Sequence, residues 1–241
     1  MIPDVRFPSN GGEATGYLAQ PAGAQGPGVL VLQEWWGLDD HIRSVCDRLA
    51  QAGFFALAPD LYHGEPTTQP DEAQQRMMAL SMDQAARDMR GAAAYLLTEF
   101  DGVIGERVGA VGFCLGGGLA VWAAATCSLI GATVSYYYVM PHGKPDFTKI
   151  SSFMLGHFGT ADEFVSVPQA EALLSELRAA GVATIFEFYD GAGHAFFNDT
   201  NRLGTYDPDA AARSWERTVA FLHEHLDNYR YVRASIRHSG C

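Results

Sequence analysis

Six short apolar runs punctuate the chain: Gly28–Gln33, Phe54–Ala58, Arg107–Phe113, Ala132–Tyr138, Ser152–Phe158 and Thr184–Tyr189. Between them the pattern changes. In Asp39–Gly53 the apolar residues Ile42, Val45 and Leu49 fall on one helical stripe, behind two acids and before a glycine stop. Asp71–Phe100, Val167–Ala180 and Asp209–Leu226 repeat that amphipathic plan. Continuous apolar strands alternating with amphipathic helices predict an α/β fold, a mostly parallel central sheet with helices on both faces. Antiparallel strands near Ala14–Gln20 are expected to start the sheet, and the Pro/Gly-rich Tyr62–Pro70 to form a loop at its edge.

With 241 residues, 48% of them hydrophobic, the chain can bury a substantial core without metal or disulfide staples. There is no internal repeat and no linker long enough to mark a second domain, so residues 1–241 read as one domain, with 227–241 a C-terminal extension of no clear period. The balance of 16 Lys and Arg against 28 Asp and Glu gives a net charge of -12, which argues against nucleic acid or an anionic membrane as partner. The cysteines Cys46, Cys114, Cys127 and Cys241 form no CxxC pair and no zinc-like cluster, which predicts a reduced cytoplasmic protein without a metal site. No apolar run reaches about 18 residues and the N-terminus lacks signal-peptide character, so a soluble, unexported protein is expected.

One of the four cysteines stands apart. Gly112-Phe-Cys-Leu-Gly116 joins an apolar strand to a Gly/Ala-rich helix and has the G-x-C-x-G spacing of a nucleophile elbow, with sulfur in place of the usual serine oxygen. The nucleophile of such a turn is strained and crowded, and glycines two residues before and after remove the side chains that would collide. A thiol at a helix N-terminus is also favoured as thiolate, and the same free N–H groups suit an oxyanion. Cys46, Cys127 and Cys241 lack these surroundings.

In this architecture a carboxylate and then a histidine should follow, each on a loop after a later strand. Gly159-Thr-Ala-Asp162 supplies Asp162, with Glu163 its neighbouring competitor, and Asp190-Gly-Ala-Gly-His194 supplies His194 as base. Upstream, Gln33-Glu-Trp-Trp-Gly37 ends a strand beside the nucleophile. Its placement suggests the backbone N–H groups of Trp35 and Leu115 for an oxyanion hole, and for Glu34 either a role at the thiol or a plain loop charge. Trp36, Phe113, Tyr137 and Phe196 suggest an aromatic pocket.

In order along the chain, QEWWG, APDLYHG, GFCLGG, GTAD and GAGHAF resemble the dienelactone hydrolase family, from about Val5 to Leu226. The resemblance implies a single α/β-hydrolase domain, a triad of Cys114, Asp162 and His194, no cofactor, and a Glu34 that hydrogen-bonds the resting thiol and helps remove its proton. It implies a small-molecule lactone or activated ester as substrate, cleaved through a thioester, in a monomer or small homo-oligomer. A quiet ligand-binding protein and an acyltransferase using the same cysteine are the alternatives. Where members that open aromatic-derived lactones carry serine and arginine after the histidine, this chain has Ala195 and Asn198, which weakens the expected grip on a substrate carboxylate. A further arginine of the family has Arg76 as its nearest counterpart here, either a substrate contact or a solvated helix charge.

Overall fold

The computed structural model describes residues 5–9 and 11–227, so the C-terminal extension beyond residue 227 lies outside the described residues. Eight strands form one sheet in the order β1-β2-β4-β3-β5-β6-β7-β8. The parallel strands are β3 (Gly26–Leu32), β4 (Phe55–Pro59), β5 (Val103–Phe113), β6 (Ile130–Tyr136), β7 (Phe153–Gly159) and β8 (Thr184–Tyr189). β2 (Gly12–Ala19) runs antiparallel to β4, and β1 (Val5–Ser9) antiparallel to β2. Every residue of β3, β4 and β6 is buried, which is why these strands read as unbroken apolar runs rather than as alternation.

Helices cover both faces. The helices α3 (Met82–Glu99), α4 (Leu115–Thr126) and α5 (Val167–Ala179) contribute Met89, Leu96, Leu119 and Leu177 to one core layer. On the other face α1 (Asp40–Gln51) and α6 (Pro208–Leu226) contribute Ile42, Leu49, Phe221 and Leu222. Asp39 caps α1 through the Ile42 N–H at 3.1 Å, and Gly53 follows in the left-handed region at φ 99°.

Three sequence expectations need correction. Asp71–Phe100 is two helices, α2 (Pro70–Ala79) and α3, because Leu80 is extended and Ser81 caps a new start by accepting from the Gln84 N–H. Tyr137 and Tyr138 fall outside β6, which ends at Tyr136; Tyr137 turns the chain at φ 37°. The strand β1 was not anticipated. Among the described residues no helix is long and apolar enough to cross a membrane.

Candidate active site

The turn between β5 and α4 is built by backbone crowding. Cys114 sits at φ 54°, ψ -115°, a conformation that costs a non-glycine residue on the order of 1–3 kcal/mol. A Cβ on Gly112 would lie 1.8 Å from the Gly116 carbonyl oxygen, and one on Gly116 would lie 2.1 Å from the Leu32 oxygen. Gly117 and Gly118 are equally hemmed in, by the Tyr136 oxygen at 2.6 Å and the Val139 oxygen at 2.3 Å, so the run of three glycines lets α4 press against β3 and β6. The Cys114 N–H donates to Tyr136 O at 3.1 Å, and its carbonyl accepts from Gly117 N–H at 2.9 Å and Val139 N–H at 3.1 Å. The backbone therefore holds the cysteine from both sides, 9% exposed.

Asp162 and His194 arrive on the loops after β7 and β8. The Asp162 side chain is fully buried; its Oδ1 accepts from the backbone N–H groups of Phe164 at 2.7 Å and Val165 at 2.9 Å, and its Oδ2 lies 2.9 Å from His194 Nδ1. Those backbone donors fix the carboxylate, which fixes the ring. Thr205 Oγ1 donates to the His194 carbonyl, and the rings of Tyr137 and Phe164 stand 5.0 and 4.7 Å from the imidazole. Burial alone would lower the pKa of His194. The hydrogen bonds and charges of Asp162 and Cys114 outweigh it and push the pKa up to about 10.

Glu34 lies just beyond the end of β3 and is 3% exposed. Around it the loop is tied down: Gln33 Oε1 accepts from Leu61 N–H at 3.1 Å, Tyr62 Oη donates to Trp35 O at 3.1 Å, and Thr67 N–H donates to Trp36 O at 2.9 Å. Gly37 closes the turn at φ 95°. The two carboxylate oxygens of Glu34 are gripped separately, Oε1 by Tyr137 Oη at 3.3 Å and Oε2 by Asn198 Nδ2 at 2.6 Å. Sequence reasoning treated Asn198 only as a missing cation; the structure makes it a partner of Glu34. A local signal was present, since Asn198 Oδ1 accepts from Thr200 N–H and Oγ1 in a short side-chain turn, but the partner 164 residues away was not readable.

Cys114, His194 and Glu34 open onto one cleft. Glu34, Trp35, Trp36, Cys114, His194 and Ala195 line it, and Met77, Val139, Phe164 and Leu203 complete its walls. Leu115 begins α4, so its N–H has no intrahelical acceptor and faces the same turn as Cys114.

The expected pocket set needs correction apart from Trp36. Phe113 and Phe196 are fully buried in an aromatic layer behind the site, Phe113 stacking on Tyr136 at 4.7 Å and on Phe197 at 5.1 Å, so neither reaches the cleft. Tyr137 is also fully buried and acts through its hydroxyl on Glu34. Burial, then the neighbouring charges of Glu34 and Cys114, raise its pKa well above the ordinary value. Arg76 binds Glu72 at 2.6 Å and the Glu65 carbonyl, beside a separate hollow with Tyr62 and His63. Its neighbour Met77 faces the cleft instead, because a helix turns successive side chains by about 100°.

A parallel sheet with a strand–elbow–helix at its centre, a carboxylate after β7 and a histidine after β8 defines an α/β hydrolase. The chain belongs to the dienelactone hydrolase family, whose sequence model matches residues 14–226. It is 36% identical over 237 residues to Protein usf of Aquifex pyrophilus, across 92% of this chain and 98% of that one. It is 34% identical, with the same coverage, to an Aquifex aeolicus protein provisionally named a carboxymethylenebutenolidase. Among solved structures, a provisionally named dienelactone hydrolase from Klebsiella pneumoniae superposes with a TM-score of 0.82 at 28% identity, covering 91% of this chain and 97% of that chain. The dienelactone hydrolase-like promiscuous phosphotriesterase P91, from metagenomic libraries, also gives 0.82, at 26% identity over 93% of this chain and 98% of its own.

Proposed function

We propose that the protein hydrolyses lactones or activated carboxylic esters through a thioester on Cys114. The observation that supports this most is that His194, held by the buried Asp162 at 2.9 Å, lines the same cleft as Cys114 on its strained turn.

The hydrogen bond to Asp162 favours the protonated ring of His194, which makes it a poor acceptor for the thiol proton at the start of the reaction. Glu34, in the same cleft, takes that proton as the substrate enters. The thiolate attacks the carbonyl carbon, forming a C–S bond and a tetrahedral oxyanion held by the N–H groups of Trp35 and Leu115. Collapse breaks the C–O bond, and His194 gives its proton to the departing oxygen. Now neutral and still oriented by Asp162, His194 takes a proton from water, whose oxygen attacks the thioester. Cleavage of the C–S bond releases the acid and a thiolate, to which Glu34 returns its proton, while His194 keeps the one taken from water. Thiolate chemistry suits enol lactones and activated esters, whose leaving oxygens need little help.

The test is turnover of 4-nitrophenyl acetate and of an uncharged enol lactone by the wild type and by Cys114→Ala. Loss of the nucleophile is expected to lower kcat by on the order of 10³-fold or more and to abolish any burst of 4-nitrophenol. Turnover undiminished in Cys114→Ala would sink the reading.

A further inference from the structure

Building on the hydrolase reading, we infer that the substrate is uncharged: the cleft is made for a neutral, largely apolar ester or lactone and selects against one carrying a free carboxylate.

The first ground is the wall itself. Among the described residues the ionisable groups that line the cleft are Glu34, Cys114 and His194, with no lysine or arginine. Trp35, Trp36, Met77, Val139, Phe164 and Leu203 make the rest of its surface predominantly apolar. The single cation, His194, is matched by Asp162 at 2.9 Å.

The second ground is how Glu34 is held. The two side chains that donate to it, Tyr137 through Oη and Asn198 through Nδ2, are neutral. The amide of Asn198 cannot be turned round, because its Oδ1 already accepts from Thr200 N–H at 3.1 Å and from Thr200 Oγ1 at 2.7 Å. Asn198 thus orients Glu34 without cancelling its charge, and the carboxylate, 3% exposed, is poorly screened by solvent.

The third ground is where the nearby cations are spent. Arg202 shares a narrow hollow beside the cleft with Glu34 and Asn198, but its charge is paired with Asp39 at 3.0 Å and it lies 5.3 Å from the centre of the Trp36 ring, while the next residue, Leu203, faces the cleft. Arg76 is bound to Glu72 and the Glu65 carbonyl. A substrate carboxylate would therefore meet an uncompensated negative charge, on Glu34 before the thiol proton moves and on Cys114 after it.

The experiment compares kcat/KM for 4-nitrophenyl butyrate and 4-nitrophenyl hemisuccinate, which differ by a methyl against a carboxylate at the chain end. Like charges roughly 5–6 Å apart in a medium of effective dielectric about 20 should favour the butyrate by on the order of 100-fold. Leu203→Lys, which sets an ammonium on the cleft wall, should bring the ratio of the two kcat/KM values back toward one. A wild-type ratio near one, or a preference for the hemisuccinate, overturns the proposal, as does a ratio that Leu203→Lys leaves unmoved.

Alkylation of Cys114 by iodoacetamide and by iodoacetate, followed on the Cys114 peptide by mass spectrometry, reads the same selection without turnover. The neutral reagent should be favoured well beyond its advantage with 2-mercaptoethanol; an equal or smaller advantage overturns the proposal. If neither ester is turned over the hydrolase reading fails, and the alkylation ratio alone decides the charge selection.

Discussion

At the scale of single residues, His194 ties stability to pH. Its pKa rises from the ordinary 6.5 to about 10, with the charges and hydrogen bonds of Asp162 and Cys114 overcoming burial, so the folded protein keeps a proton that the unfolded chain loses in between. The stabilisation is complete below about pH 6.5 and is lost as pH climbs through the folded value near 10. The melting temperature of the wild type should therefore fall across that window more steeply than that of His194→Gln. Parallel curves would show that the imidazolium is not held as the geometry indicates. Cys114, Asp162 and His194 were legible in the sequence because each lies among its own local signals: flanking glycines, a strand end, a tight turn. Asn198 and Tyr137 were not, because what matters about them is a hydrogen bond to Glu34, at sequence separations of 164 and 103. Phe113 and Phe196 were legible as aromatics, but not as lying behind the site, since a side-chain name carries no information about which side of a layer it faces.

At the scale of elements, the elbow depends on the absence of two methyl groups. The Cβ of Gly112→Ala would meet the Gly116 oxygen at 1.8 Å and the Gly116 carbonyl carbon at 2.2 Å, and both are backbone atoms with nowhere to move. The variant should lose more than about 4 kcal/mol. At roughly 2–4 °C per kcal/mol for a chain of this size, its melting temperature should fall by about 10 °C or more. Gly143→Ala is the control: at φ 88° with nothing within 4 Å, it meets only backbone strain of about 1–2 kcal/mol. Equal melting temperatures for the two variants would mean that crowding does not shape the turn. The strand–turn–helix was readable because glycine spacing is a local property. The break between α2 and α3 was missed because the helical periodicity of Asp71–Phe100 runs through it, and a single serine cap on the polar face hardly disturbs that pattern.

At the scale of the whole molecule, alternation along the chain announces a parallel sheet but not the strand order β4-β3-β5-β6 that sets the ends of β3, β5, β7 and β8 around one cleft. That order follows from crossover connections between residues far apart in sequence. Charge at this scale also competes with charge in the site. The chain carries a net charge of -12, which repels an anionic substrate at long range whatever the cleft contains. Salt separates the two effects. The Debye length shrinks from about 30 Å at 0.01 M to about 8 Å at 0.15 M, which removes most of the field of distant surface charges but little of a contact with the buried Glu34. The preference for 4-nitrophenyl butyrate over the hemisuccinate should therefore fall over that range and then level off, with a remainder that persists toward 1 M salt and disappears in Leu203→Lys. A preference that vanishes by 0.15 M would assign the discrimination to the net charge of the molecule and leave Glu34 without a part in it.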